Sequence, residues 1–470
     1  MDAFCQRRTW KRARRLGLGQ LACLGRHTVA GMICATSRQA VDWSADYRLF
    51  ARDKWEIKDL FVPVVRGALQ MLPERAPLVV AIDDTRVPKR GRRIPGVHYG
   101  RDPMSPPFHV NLTLGQRFVQ LSAMVPGGPA PSAARGVPVR FHHQPPVPKP
   151  KPSADAQERA AYRAKCRENN LSTCGRDRIR ELRQEMDLRH QAKDRILVVS
   201  GDGSYTNKTV LGSLPERTTF IGRIRRDAKL HYLPRSDQQP KVGSKRRYGD
   251  VAPRPEELLK DKTVRWQRVT AFASGTTHSF RAKEMSPVLW RKSGANQEVR
   301  IAVVAPVGYR LRKGGKLLYR QPAFLICTNL NMPIEELLQY YLWRWDIEVN
   351  HRDEKQLIGV GHAQVWSPRS VDRQPAMAVA SYAYLLLAAL RLYGSNGEQP
   401  SLPTPKWQAS QSDTRISTQR LLQLLRSEIW AYATEWKRNS SDFVTDEAAH
   451  AKCPKSVHPL ESAVILARAG

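Results

Sequence analysis

"PLVVAIDDT", residues 77–85, is a short unbroken apolar run that stops at two carboxylates. A strand with one wet face alternates apolar and polar residues; a continuous run suits a strand buried on both faces. Such strands need helices above and below the sheet, which points to an α/β protein. "RILVVSGDGSY" (195–205) repeats the pattern and also ends in an acid, Asp202, and "RTTFIGRIR" (217–225) supplies a third strand. Sheets of this kind build their sites at the carboxyl ends of the strands. Asp83 and Asp202 are therefore candidates, although an Asp after a strand more often serves its own turn or caps a helix. Asp84 stands beside Asp83, and alternation along a strand lets only one of the two face a site.

Working outward, "PFHVNLTLG" and "RFVQLSAMVP" are strand-like runs that meet at Gly115-Gln116, where a hairpin is expected. Residues 126–152 are rich in proline and predict an extended arm. A charged helix is expected from Ser153, as its N-cap, to Arg189. From 228 to 330 the runs "TVRWQRVTAFA", "EVRIAVVAP" and "AFLICTN" are of β type, separated by turn signals, and predict a β-rich insertion. Helical periodicity resumes at Pro333, which suits a first turn, and is expected to continue unbroken through "YLWRWDIEVNHRDEK" (341–355). An apolar helix over 376–392 and an amphipathic one near 418–431 follow. Near the amino terminus, two short apolar helical patterns flank Leu24-Gly25-Arg26 in a strongly basic setting. They suit either a helix-turn-helix or a basic helical arm packed on the main domain.

The organisation expected is a basic helical region with possible DNA binding (1–70), a first core part (71–227) and the β-rich insertion (228–330). A second core part with the glutamate helix (331–395) and a loose tail (396–470) complete it.

Lys and Arg number 77 against 43 Asp and Glu, so the net charge is +34. That self-repulsion is relieved by a polyanion, with nucleic acid the first candidate and an anionic membrane surface the rival. The longest apolar run, 376–390, is shorter than the roughly 20 residues of a membrane span. The seven cysteines form no C-x-x-C pair, which suggests neither a zinc site nor a disulfide framework. No P-loop and no G-x-S-x-G elbow is present. A cytoplasmic setting is expected.

On the helix, at about 100° per residue, Tyr341, Arg344, Trp345, Glu348, Arg352 and Lys355 fall within an arc of about 100°. One carboxylate, three cations and two aromatics thus share a stripe. Tyr341 and Lys355 lie about 21 Å apart along it, too far to hold one phosphate but able to follow a DNA backbone. A salt-bridged surface helix explains the same charges, since Arg344–Glu348 and Glu348–Arg352 are i,i+4 pairs. Asp346, Asp353 and Glu354 fall off the stripe and are expected to be solvated or pairing charges. Trp343 and Trp345 lie on different faces, so at least one of them is expected in the core. Asp83, Asp202 and Glu348 are three oxygen donors without a His or Cys cluster, a set that favours Mg²⁺ or Mn²⁺ over zinc.

Tyr341, Arg344, Glu348 and Lys355 match Y-x2-R-x3-E-x6-K, and in this the chain resembles a large group of bacterial insertion-sequence DDE transposases. "AIDDT" and "VVSGDGSY" look like the first and second aspartate motifs of that group. The resemblance covers residues 75–395. It implies a ribonuclease H-like catalytic core with a β-rich insertion before the glutamate helix, and helical regions at both ends. It further implies that Asp83, Asp202 and Glu348 are catalytic and hold Mg²⁺ (Mn²⁺ substituting), with Thr85 completing a D-x-T pattern that favours Asp83 over Asp84. Arg344 and Lys355 would grip phosphates at the element end, and Tyr341 would contact its terminal strand. The expected activity is cleavage of double-stranded DNA at element ends, then attack of the freed 3′-OH on target DNA. A homodimer would hold the two ends together in a nucleoid-associated complex. The alternatives are a metal-dependent nuclease of the same fold without strand transfer, or a non-catalytic DNA-binding descendant.

Overall fold

The computed structural model describes residues 3–394 apart from positions 5, 53, 103, 104, 107, 241 and 313, together with 415–436 and residues 460, 463 and 464. Four helices open the chain, α1 (Arg7–Ala22), α2 (Val29–Ala35), α3 (Ser44–Ala51) and α4 (Ile57–Gln70). Strands β1 (Leu78–Pro88), β2 (His98–Arg101), β3 (Leu112–Pro126) and β4 (Ala134–His143) follow. Helices α5 (Ala156–Glu168) and α6 (Leu171–Arg189) lead to β5 (Leu197–Gly201), α7 (Lys208–Leu211) and β6 (Thr218–Arg223). Next come β7 (Leu230–His231), β8 (Val251–Ala252), α8 (Pro255–Lys260), β9 (Gln267–Ala273), β10 (Thr276–Trp290) and β11 (Glu298–Val304). The short pair β12 (Gly308–Tyr309) and β13 (Leu318–Tyr319) precedes β14 (Ala323–Cys327). Helices α9 (Ile334–Trp343), α10 (Trp345–Gln356), α11 (Ser370–Tyr393) and α12 (Thr418–Trp436) complete the described chain.

The central strands run in the order β4-β3-β1-β5-β6. β4 and β3 are antiparallel neighbours, β3 is antiparallel to β1, and β5 and β6 are parallel to β1. This mixed α/β sheet is compatible with a ribonuclease H-like core. β1 is buried on both faces, as its composition requires. Val79 and Ala81 pack with Leu337, Leu338 and Ile347 of α9 and α10. Val80 and Ile82 pack with Cys174, Ile179 and Leu182 of α6. Each Val, Leu or Ile side chain among these contributes about 1.5–3 kcal/mol on burial, so the strand is anchored from above and below.

Several local expectations change. No hairpin forms at Gly115-Gln116, because β3 runs straight through it. Gly115 marks a close approach instead, since a Cβ there would lie 2.6 Å from the Val87 carbonyl oxygen. The proline-rich segment is not wholly an arm, for β4 pairs along β3 with a register shift opposite Pro138 and Arg140. A bulge accommodates a residue that has no N–H to donate to the ladder. The charged helix is two helices: Asp155, not Ser153, caps α5, and Asn170 opens α6 with a capping box to Thr173. Residues 228–330 do form strands, but all of these except the pair β12-β13 extend the central sheet, with β14 hydrogen-bonded to β6.

The apolar helix is longer than expected. α11 has 24 residues and meets a membrane span by length and composition, yet 72% of its most apolar window is buried inside the fold. It packs against β4 and α4, which makes it a core helix. At the amino terminus, α1 turns Arg7, Arg8, Lys11 and Arg14 to solvent, while Arg12 and Arg15 pair with Asp46 of α3. α2 fully exposes only Ala30, which leaves it no long side chain for reading base edges. The loose tail expected from 396 falls mostly outside the described residues.

Candidate active site

Register places the two acids side by side. Ile82 of β1 pairs with Gly201 of β5, so Asp202 follows the carboxyl end of β5 beside Asp83. Asp83 does not end its strand as expected: β1 continues to Pro88, held by its pairing with β3, and leaves the acid in mid-strand. Burial pushes the Asp83 carboxyl up to about 7, and the neighbouring Asp202 charge adds to the rise. Asp84 is raised as well, by burial first, with Arg117 opposing and Asp202 adding.

Alternation separates the two adjacent aspartates. Asp83 shares its face with Ala81 and with its cross-strand partner Gln120, the face that carries α10. Arg344 sits 3.8 Å from the Asp83 carboxylate and donates to Glu348 Oε1 at 2.9 Å. The guanidinium thereby ties the strand acid to the helix acid. Asp84 points to the α6 face, where Arg117 lies 3.5 Å away. The Tyr205 hydroxyl is buried there without a partner, in the field of Asp84 first and Asp83 next. Gly175 of α6 makes room for that ring, because a Cβ would come within 2.6 Å of it.

Asp202 also serves its own turn. Its carboxylate accepts from the Ser204 N–H at 2.8 Å and the Ser204 hydroxyl at 3.3 Å. The turn role and a position beside Asp83 therefore coexist in one side chain.

The glutamate helix is broken where it was expected to be continuous. The hydrogen-bond ladder changes at Arg344, whose N–H reaches the Tyr341 carbonyl and whose carbonyl accepts from Ile347, both i to i+3. Such a tightened turn rotates the following residues relative to an ideal α-helix. The stripe survives in part. Tyr341, Arg344, Glu348 and Lys355 are all half-buried, whereas Trp345 and Arg352 are exposed. The Arg344 guanidinium lies over the Tyr341 ring, 5.9 Å from its centroid. Lys355 is lowered by burial, against the raising influence of Glu354, Asp102, Asp83 and Asp84. Trp343 is the core tryptophan, its indole N–H donating to the Ser132 carbonyl.

Two of the off-stripe acids are not solvated: Asp353 and Glu354 are 4% and 1% exposed. Asp353 accepts from Arg352 and from the Tyr382 hydroxyl. Burial pushes Glu354 up to about 8, with Gln120 as its hydrogen-bond partner. Asp346 is a pairing charge, bound to Arg415 and to the Gly136 N–H. Sequence reasoning missed Arg117, Gln120 and Tyr205. Tyr205 closes the "GDGSY" run, but Arg117 and Gln120 become visible only through strand register.

Among the described residues, no three His, Cys, Asp or Glu side chains stand together as a ready cation cage. Asp83 and Asp202 nevertheless fit a divalent ion: both are hard oxygen donors, and their mutual repulsion is what a cation relieves. Glu348 is linked to Asp83 through Arg344, which contacts both.

No curated protein matches the chain. The family described as DDE superfamily endonuclease matches residues 2–297, a segment that holds both of these aspartates and stops before the glutamate helix. A match over more than half the chain, on a sheet whose neighbouring strands bring Asp83 and Asp202 side by side, means that the chain belongs to the DDE superfamily endonuclease family, whose members cut DNA with the help of divalent metal.

Proposed function

We propose that the protein is a DDE transposase that cleaves DNA at element ends and joins the freed 3′-OH to target DNA. The observation that carries this reading is Arg344, which contacts both Asp83 and Glu348 beside Asp202. It links two sheet acids to two residues of the Y-x2-R-x3-E-x6-K pattern.

Asp83, Asp202 and Glu348 would hold Mg²⁺, with Mn²⁺ able to replace it. When bound, the ions supply Lewis-acid stabilisation to the charge that gathers on the scissile phosphate. Arg344 orients Glu348 and offers a phosphate its remaining donors, and half-buried Lys355 adds a second cation on the same side. Tyr341, packed under Arg344, contacts the terminal strand. Hydrolysis breaks one P–O3′ bond and frees a 3′-OH; attack of that hydroxyl on a target phosphodiester forms one P–O bond and breaks another. The bond count is conserved in the second step, which fits a chain with no nucleotide-binding loop. Two ends must be held together, so the active complex is expected to be a homodimer on double-stranded DNA, in the cytoplasm at the nucleoid.

The test is an end-labelled duplex incubated with the purified protein, Mg²⁺ and a target plasmid. Labelled end joined to plasmid is the expected product. Cleaved ends that never join would replace this reading with that of a nuclease without strand transfer.

A further inference from the structure

The segment between β11 and β14 has no place in the chemistry above. It reads "APVGYRLRKGGKLLYRQP" (305–322) and carries five cations, Arg310, Arg312, Lys313, Lys316 and Arg320. No Asp or Glu occurs between Glu298 and Glu335. The segment folds back on itself as a two-stranded ribbon separate from the large sheet, β12 pairing with β13 through Gly308–Tyr319 and Tyr309–Leu318. The Arg320 N–H donates to the Val307 carbonyl at 2.9 Å, and its guanidinium lies 5.4 Å from the Tyr309 ring centroid. Arg310 donates across the ribbon to the Gly315 carbonyl. Arg310, Arg312, Lys316 and Arg320 are exposed, as are Leu311 (78%) and Tyr319 (64%). A free-standing hydrophobic ribbon would bury those side chains against the body of the protein. This one keeps them in solvent under a purely positive charge.

Register locates the ribbon relative to the acids. The row that follows Ile82, Gly201 and Gly222 contains Asp83, Asp202 and Arg223, and Arg223 pairs with Leu325 of β14. Leu325 pairs with Ala302 of β11, and Val304 with Ala323 lies two residues further out. The ribbon therefore rises from the same sheet edge as Asp83 and Asp202. Exposed Arg223 stands between them and extends the line of positive charge. At about 4.8 Å per strand, its base lies about 10–19 Å along that edge from the acids. At about 3.4 Å per base pair, this distance is roughly three to six base pairs.

The geometry points to a duplex-DNA grip: the ribbon of residues 307–320 enters the major groove about three to six base pairs from the bond cut at the acidic edge. A major groove about 12 Å wide admits a two-stranded β-ribbon, with cations on its rims to meet the flanking phosphates. The inference rests on the reading of Asp83 and Asp202 as the cleavage site.

The test compares the full chain with its Arg312→Ala/Lys316→Ala variant, checked by circular dichroism for an unchanged fold. Binding to a duplex of about 40 base pairs and to a single strand of the same length is titrated across salt concentrations. Loss of two phosphate contacts lowers the duplex salt slope by about 1.8 and spares the single strand. Guanine N7 methylation about three to six base pairs from a mapped cleavage point interferes with binding by the natural chain, and no longer does so in the variant. An unchanged duplex slope, an equal loss on single strands, or absence of methylation interference in the natural chain would each overturn the proposal. Asp83→Asn in the same assays tests the cleavage site separately, because it should lose cutting and keep the salt slope.

Discussion

The two sides of α10 carry similar residues and do opposite things. On the cleft side, Arg344, Glu348 and Lys355 are half-buried, and among the described residues the Glu348 carboxylate bonds to the guanidinium beside Asp83. On the inner side, Asn350, His351, Asp353 and Glu354 are all at least nine-tenths buried. There Asn350 accepts from the Ser122 hydroxyl at 2.8 Å and donates to the Gly136 carbonyl at 3.0 Å and to Tyr382. The filled bonds of Asn350 fix where the helix sits, whereas the spare oxygen of Glu348 is available to a ligand. The inner network seats α10 on β3 and β4, and that seating is what presents Glu348 to Asp83.

The contrast breaks most readily at Glu348. Glu348→Gln is expected to lower cleavage at least about a thousand-fold while duplex affinity stays within a few-fold, as measured by gel assays on a labelled end. Retention of most of the activity would remove Glu348 from the chemistry. Next in size, Asn350→Leu leaves the Ser122 hydroxyl and the Gly136 carbonyl without their partner and should cost about 2–3 kcal/mol in urea unfolding. An unchanged midpoint would mean that the inner network does not seat the helix.

The pH dependence of stability sharpens the comparison further. Glu354 titrates at about 8 when folded against 4.5 ordinarily, so its contribution is fully present below 4.5 and is lost as pH rises through 8. His351, buried, falls to about 3 from 6.5, so its contribution is present above 6.5 and is lost as pH falls towards 3. The two slopes oppose each other between 4.5 and 6.5, and only that of Glu354 remains above. Thermal melts of the natural chain should therefore fall from pH 6.5 to pH 8, and Glu354→Gln should flatten that decline. A decline of equal steepness in the variant would place its origin elsewhere. The smallest effect is expected at exposed Trp345, where Trp345→Ala should change stability by no more than about 0.5 kcal/mol. A larger loss would show that this indole packs rather than projects.

Much of this site was legible before the fold. Asp83 and Asp202 stand out because they end continuous apolar runs, and the Tyr341-Arg344-Glu348-Lys355 spacing is a one-dimensional pattern. Asp353 pairs with Arg352 as expected, but its burial and that of Glu354 are not legible, because an acid on a helix is solvated unless a second element covers it. The cover here comes from β3 and α11, through Gln120 and Tyr382, residues far away in the chain. The break at Arg344 was invisible for a related reason: all the neighbouring residues favour a helix, and the tightening accompanies a contact with Asp83 on β1. Gly115 shows the same limit, since a turn and a close strand approach both call for a residue without a Cβ.

By itself, the sequence determined that this is an α/β chain with acids at the ends of apolar runs, a charged helical stripe and a surface suited to a polyanion. Those properties follow from hydrophobic periodicity, residue order and net charge, all of which are local or additive. Only the tertiary structure decided that Asp83 and not Asp84 faces α10, that Arg344 joins two acids, and that β14 carries most strands of 228–330 onto the central sheet. Each of those depends on register between strands remote in sequence, and a shift of one residue would have reversed every face.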